Sequence, residues 1–325
     1  MKLIIQVPCF NEEGSLPVTL NELPRKVEGF DSVEWMVIDD GSTDNTVEVA
    51  RSLGVDHIVG FSKNQGLAKV FSLGLESALA LGADVIVNTD ADNQYCAADI
   101  PALVRPILEG RAEIVIGTRP IDSIEHFSWA KKKLQKLGSW MVRKVSGTDV
   151  PDAPSGFRAI SREAGLRLNV FTPYTYTLET IIQAGQKNIP VATVAVRVNE
   201  DLRPSRLVKS IPSYIKKSIV TMLRVFVFYR PFKFFMSWGV LFFSLGFAIG
   251  IRFLYFWALG SGSGHVQSLI LAGALLGIGF QTILTAFLAD LFSVNRQLLE
   301  DVQYRLRKNL ASCSKGKKRE DEDCG

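Results

Sequence analysis

The chain has little with which to build a stapled or metal-clustered protein: its four cysteines, Cys9, Cys96, Cys313 and Cys324, show no close pairing among 325 residues. That spacing argues against a disulfide framework and against a zinc site, and it fits a reducing compartment. Histidine is scarcer still. His57, His126 and His265 all lie away from the acidic and amide-rich clusters described below. The apolar stretch Leu3-Ile4-Ile5-Gln6-Val7 is too short for a signal-peptide core and is broken at once by Pro8 and Asn11, so it reads as a first strand. No internal repeat is visible. A net charge of +4 is modest, and no nucleic-acid partner is expected from it.

What the chain has in surplus is apolar surface, at 47% of residues, which is high for a soluble protein of this length. The surplus sits near the end. From Phe234 to Leu259 the only charged residue is Arg252, and from Val266 to Ala289 there is none. Each run meets the roughly 20 residues needed to cross a bilayer, so two membrane helices are expected. Eight Lys/Arg lie between Asp201 and Lys233, eight more between Ser293 and Arg319, and none in the Gly260–His265 turn. The positive-inside rule then places both termini in the cytoplasm. Gly246 and Gly250, and again Gly273 and Gly277, stand at GxxxG spacing, with Gly279 nearby. Such residues allow close helix packing and make a homo-oligomer conceivable.

Residues 1 to 120 alternate short β-rich runs with helical stretches. The strands are Leu3–Val7, Trp35–Ile38, His57–Phe61, Val85–Asn88 and Ile114–Ile116, and the alternation implies a mostly parallel sheet covered by helices. In such folds ligands gather beyond the carboxyl ends of the strands. Polar clusters stand at those ends: Asn11-Glu12-Glu13, Asp39-Asp40-Gly41-Ser42, Asn64-Gln65-Gly66, Asp90-Ala91-Asp92 and Thr118-Arg119. A basic amphipathic helix is expected over Phe127–Val145, either facing a core with a solvated basic back or touching an anionic membrane surface. A second basic run, Leu207–Tyr229, leads into the first apolar helix and is expected at the membrane interface. The tail beyond Leu310 has too few apolar residues to pack and is expected to lack structure.

Asp90 and Asp92 offer two carboxylates where a strand gives way to a loop, and Gln94 adds an amide oxygen. Hard oxygen ligands of this kind suit Mg²⁺ or Mn²⁺. Asp39 and Asp40 close the second strand, where they serve either as turn caps or as acceptors for a base or ribose. Glu13 stands where a helix dipole alone favours an acid. Lys69, one turn into the next helix, meets either phosphate or solvent.

In this order the segments Val7-Pro8-Cys9-Phe10-Asn11-Glu12-Glu13, Ile38 to Asp44, Asn64 with Gly66 and Leu67, Asp90 to Gln94, and Gly117-Thr118-Arg119 resemble the family 2 inverting glycosyltransferases. The resemblance is to the branch of dolichyl-phosphate mannosyltransferases and polyprenyl-phosphate glucosyltransferases. Asp152 with Ser155-Gly156-Phe157-Arg158, and the basic loop Arg203 to Lys209, extend it over nearly the whole chain. It implies a GT-A-like fold with a cytoplasmic glycosyltransferase domain over 1–206, interfacial helices over 207–232, a two-helix anchor over 233–292 and a partly disordered tail over 293–325. It also implies a nucleotide-sugar site at Pro8, Phe10, Asn11, Glu12, Asp39, Asp40, Gly66, Lys69, Asp90 and Ala91. Asp90, Asp92 and Gln94 would hold the divalent ion, and Arg119 and Arg203 the phosphate of a polyprenyl phosphate acceptor, with Asp92, Arg119 and Arg203 central to catalysis; Arg206 joins the phosphate group on its charge. Such an acceptor is already an anion, so no catalytic histidine is required.

Two departures stand out. Asn93, Tyr95 and Cys96 replace the family's usual Leu-Gln and Pro-rich step, and Arg206 stands in a loop where a Gly-x-Ser-Lys pattern is common. A hydroxyl acceptor such as a diacylglycerol or sphingoid lipid would instead need a base, for which Glu179 is the candidate. A non-catalytic scaffold would be expected to lack the acidic pair, which is present.

Overall fold

The computed structural model describes residues 1–120, 138–140, 142–144, 146–170, 176–199, 220, 224, 227–260 and 262–323. The chain divides into two compact units, Met1–Ile219 with Asp301–Gly325, and Val220–Glu300.

The first unit is built on a sheet of 7 strands. β1 (Lys2–Cys9), β2 (Ser32–Asp39), β3 (His57–Gly60), β4 (Val85–Asn88) and β5 (Ile114–Thr118) are the expected strands, joined by β6 (Arg158–Ser161) and β7 (Val191–Ala195). Their order is β3-β2-β1-β4-β6-β5-β7. β6 runs antiparallel to both neighbours and the other pairings are parallel. Between them lie α1 (Leu16–Glu22), α2 (Thr46–Ser52), α3 (Leu67–Ala80), α4 (Ile100–Leu108), α5 (Arg162–Arg167) and α6 (Tyr176–Gln186).

β1 is apolar almost throughout because it is covered on both faces, as a central parallel strand must be. Leu3, Ile5 and Val7 join a core with Leu16, Leu20, Ile100 and Leu103, each such side chain contributing about 1.5–3 kcal/mol on burial. Gln6 faces α3, where a Cβ on Gly74 would lie 2.6 Å from its Oε1 and 2.9 Å from Ile38 Cδ1. A glycine there lets the helix lie against the sheet. Register brings Cys9 level with Asp39, and Asp39 level with Gly60, so the loops leaving β1, β2 and β3 emerge side by side. Because β6 is antiparallel, Arg158 opposite Asn88 brings the segment before β6 to that same edge.

The second unit holds α7 (Pro231–Ala258) and most of α8 (Val266–Asp323), joined through a 3-10 turn at Gly262–His265. Pro231–Ala258 and Val266–Asn309 are long and apolar enough to cross a membrane. Their packing uses glycine, but not in the expected pairs. A Cβ on Gly246 would lie 2.9 Å from Leu276 N, and one on Gly279 would lie 2.5 Å from Phe243 N, whereas nothing approaches Gly273 or Gly277 within 4 Å. Gly246 and Gly279 thus serve the hairpin itself.

The helix that opens at Val266 runs on past the anchor boundary expected at 292/293: α8 is one helix of 58 residues ending at Asp323. The charge change at Ser293 alters the solvent the helix suits and leaves its backbone preference intact. Gln297-Leu298-Leu299-Glu300 and Arg305-Leu306-Arg307-Lys308 are strong helix formers. Past Glu300 the helix belongs to the first unit. There Arg307 donates to Leu168 O at 3.0 Å, Asn169 Oδ1 at 2.9 Å and Glu76 Oε1 at 2.6 Å, while Tyr304 Oη donates to Glu163 Oε1 at 2.7 Å. Of the basic amphipathic runs expected over 127–145 and 207–229, most residues, with Arg203 and Arg206, lie outside the described residues.

Candidate active site

The loops after β1 and β2 hold each other. Asn11, in the left-handed region at φ 54° that Asn tolerates better than most residues, receives Thr43 N on Oδ1 at 2.8 Å and donates its own N–H to Ser42 Oγ at 2.9 Å. Glu12, buried, gives its N–H to Thr46 Oγ1 at 2.8 Å and accepts Ser15 Oγ–H. Glu13 Oε2 takes Asn45 N at 3.0 Å. Pro8 is buried within β1 and Phe10 is exposed at its end. Cys9 is buried, and that burial pushes its thiol well up, leaving it a neutral packing group with no thiolate character.

Asp39 and Asp40 are both buried and have separate tasks. Asp39 closes its own turn by accepting Ser42 N at 3.1 Å. Asp40 accepts Gln65 N at 2.7 Å and Gly66 N at 2.9 Å. Its two oxygens therefore fasten the β3–α3 loop, a use the sequence did not disclose. Gly66 itself sits at φ 92°, conformational space that glycine enters freely. Lys69 is anchored by Nζ to Gln65 Oε1 at 2.8 Å on the exposed side of that loop.

Asp90, Ala91 and Asp92 follow β4. Ala91 O accepts Thr19 Oγ1 at 2.9 Å and Asp92 Oδ1 accepts Gln94 N at 3.2 Å. Burial, and next the charge of Asp92, push the Asp90 carboxyl up to about 7, against the pull of Arg119 and Arg158. An acid whose neighbour raises it in this way belongs to an under-neutralised pair. Asp90 also abuts the backbone of the β6 approach, since a Cβ on Gly156 would lie 3.0 Å from each of its oxygens.

Arg119 leaves β5 and meets Asp152 two-pronged, Nε to Oδ2 at 2.8 Å and Nη2 to Oδ1 at 3.1 Å, with side chains 8% and 1% exposed. Its Nη1 reaches Gln94 Oε1 at 3.4 Å. Gln94, expected as a metal ligand, thus turns its amide oxygen to an arginine. Sequence reasoning also assigned no role to Arg158, whose guanidinium is fully buried. It donates to Ser155 O at 2.8 Å, Ala153 O at 2.9 Å, Thr177 O at 2.9 Å and Thr180 Oγ1 at 2.6 Å. These bonds shape the Ala153–Gly156 loop against Asp90. Tyr95 and Tyr176 were missed likewise: Tyr95 Oη accepts Gly156 N at 3.0 Å, and Asn88 Nδ2 donates to Tyr176 Oη at 3.1 Å and to Gly156 O at 2.8 Å. The only signal for them was the run Ser155-Gly156-Phe157-Arg158. Glu179 lies on α6, 1% exposed.

Among the described residues no group of three or more His, Cys, Asp or Glu could hold a metal ion. The donor chemistry of Asp90 and Asp92 nonetheless fits a hard divalent cation: two carboxylate ligands with a repulsion that such a cation relieves.

The largely parallel sheet gathers an acidic pair and a buried arginine–carboxylate couple beyond its strand ends, the edge where ligands bind in folds of this kind. The model of glycosyl transferase family 2 matches residues 4–165, and the chain belongs to that family. An uncharacterized protein of Methanocaldococcus jannaschii is 32% identical over 206 residues, 59% of this chain and 82% of that one. The UDP-N-acetylglucosamine–dolichyl-phosphate N-acetylglucosaminyltransferase of Methanococcus voltae is 30% identical over 49% of this chain and 68% of its own length. The undecaprenyl-phosphate mannosyltransferase of Micrococcus luteus is 29% identical over 49% and 66%. In fold, glucosyl-3-phosphoglycerate synthase of Mycobacterium tuberculosis, crystallised with Mn²⁺, UDP and phosphoglyceric acid, superposes with a TM-score of 0.52 at 18% identity, covering 68% of this chain and 78% of that one.

Proposed function

We propose that the protein transfers a sugar, with inversion, from a UDP- or GDP-linked donor to a polyprenyl phosphate at the cytoplasmic face of a membrane. The observation that carries this reading is the Asp90–Asp92 pair, two carboxylates in the turn directly after β4, in a chain that also holds two helices long enough for a bilayer. Asp90 and Asp92 hold Mg²⁺ or Mn²⁺, which when bound neutralises charge on the departing nucleotide diphosphate. The nucleotide is received by the loops carrying Pro8, Phe10, Asn11, Glu12, Asp39, Asp40, Gly66 and Lys69. Asp40 acts there through the Gln65 and Gly66 amides it fixes.

Arg119, oriented by Asp152, meets phosphate with the edge that now faces Gln94, and Arg203 and Arg206 add charge from the segment ahead of α7. The acceptor is an anion before it binds, so the residues need only align it with the anomeric carbon. Both termini lie in the cytoplasm on this reading. Named relatives that act on dolichyl and undecaprenyl phosphates support the acceptor class. The test is transfer from UDP- and GDP-sugars to a short polyprenyl phosphate by the purified full-length protein, with and without Mn²⁺. Metal-dependent product that disappears in Asp92→Ala is expected; wild-type protein that glycosylates no polyprenyl phosphate would falsify the reading.

A further inference from the structure

The turn that carries Asp92 is tied down by a group of residues to which neither the family resemblance nor the sequence assigned a task. Asn93, directly after Asp92, is buried and lies in the left-handed region at φ 57°, a conformation asparagine enters more readily than other non-glycine residues. Its Nδ2 donates to Glu22 Oε1 at 3.0 Å. The other oxygen of Glu22 accepts Asn199 Nδ2 at 3.2 Å, and the same amide reaches Asn93 O at 3.1 Å. The backbones are stitched as well: Asn199 N donates to Gln94 O at 2.9 Å and Cys96 N to Arg197 O at 3.3 Å, with Tyr95 bridged to Val198. One carboxylate at the end of α1 thereby joins the acidic turn to the strand that leaves β7, four positions in sequence before Arg203.

We propose that Glu22, Asn93 and Asn199 form a clasp that holds Asp92 at its working distance from Asp90, and that they are positioning residues for the binding of a divalent ion with the nucleotide. The inference rests on the metal-dependent reading given above. The two carboxylates repel one another, and a turn free to move relaxes by letting them part. The clasp opposes that relaxation with carboxylate-to-amide bonds, which are stronger than neutral ones. It also occupies the place where the chain departs from the family's usual continuation, so an asparagine at position 93 has a physical reason: it tolerates the left-handed turn and supplies the amide for Glu22.

The test uses the full-length protein in detergent and follows free Mn²⁺ by its paramagnetic resonance signal during titration, in the presence of UDP and separately of GDP. Asn93→Gly keeps the left-handed turn without strain and removes the amide; Asn199→Ala removes the other donor; Asp92→Ala is the reference for a lost site. Both clasp variants are expected to weaken Mn²⁺ binding about tenfold, the effect of roughly one charged hydrogen bond. The double variant should fall short of a hundredfold because the two share Glu22. Thermal midpoints are read alongside. Lowered midpoints with Mn²⁺ binding equal to wild type would reduce the clasp to ordinary fold support and overturn the proposal while leaving the metal reading intact. Wild-type protein that holds no more Mn²⁺ than Asp92→Ala would overturn the metal reading and the clasp with it. If one clasp variant shows no unfolding transition, the other decides, since they lie on separate segments.

Discussion

Replacing Asp152 by alanine should be among the most damaging single changes in the first unit. The side chain is 1% exposed and faces a guanidinium 8% exposed, so solvent cannot take over its role. Truncation removes the bonds to Arg119 Nε at 2.8 Å, Nη2 at 3.1 Å and the Arg119 backbone N–H at 3.2 Å. What stays beside the cation is Gln94 Oε1 at 3.4 Å, the Tyr95 ring at 5.9 Å and Asp90, whose carboxyl burial pushes towards its neutral form, and none of these replaces a two-pronged carboxylate. Breaking a buried ion pair by removing one partner costs about 3–5 kcal/mol, and for a unit of this size that lowers the thermal midpoint by on the order of 10 °C. The measurement is near-ultraviolet circular dichroism on protein in detergent at one fixed scan rate, because a chain of two units with long apolar helices often unfolds irreversibly. A second variant separates lost pairing from lost packing: Arg119→Met added to Asp152→Ala removes the stranded charge and should recover at least half of the loss. A drop of under about 1 kcal/mol for Asp152→Ala, or a double variant no more stable than the single one, would refute the argument.

The remaining expectations follow from the same geometry. Asp90 titrates at about 7 in the folded, metal-free protein against 3.8 when unfolded, so the folded state holds the proton more tightly and stability falls as pH rises from 4 to 7. The ceiling is about 4 kcal/mol at roughly 1.4 kcal/mol per unit, trimmed because Asp90 keeps a solvent-facing edge. Asp90→Asn should flatten this decline when thermal midpoints are compared in EDTA at pH 5 and pH 8, and an unchanged slope would count against the shift. Gly156→Ala would set a methyl 3.0 Å from both Asp90 oxygens and 3.1 Å from Tyr176 Oη; about a tenfold or larger loss of transfer is expected with a near-normal thermal midpoint. Arg307→Ala should cost only about 1 kcal/mol, its partner Glu76 being 57% exposed, yet should speed tryptic cleavage at Arg305 and Lys308.

The five strands before residue 120 and the polar loops behind them were legible because a buried parallel sheet writes itself as short apolar runs closed by turn residues. β6 was not legible. It opens with Arg158, and what allows a charge in a core strand is a ring of acceptors at Ala153, Ser155, Thr177 and Thr180, some of them on a helix nineteen or more positions away. Asp40 illustrates the same limit within the site. Its two acceptor oxygens were visible as chemistry, but their attachment to amides 25 and 26 positions on is a property of loops brought side by side by register. Gln94 could be seen as an oxygen donor, and only the placement of Arg119 decides where that oxygen points. The length of α8 was not legible for a different reason: hydropathy reports which solvent a helix meets, while helix length follows backbone propensity.

The grip of Arg307 on Glu76, Leu168 and Asn169 has a consequence for the order in which the protein is made. The catalytic unit is discontinuous in sequence, and its last piece emerges from the ribosome only after both apolar helices. During synthesis the sheet and its strand-end loops can assemble early, but the seat on α3 and α5 stays vacant until residues 301–308 arrive. A fragment ending before α7 therefore carries the whole 7-stranded sheet and the acidic pair, and still lacks a segment of its own fold.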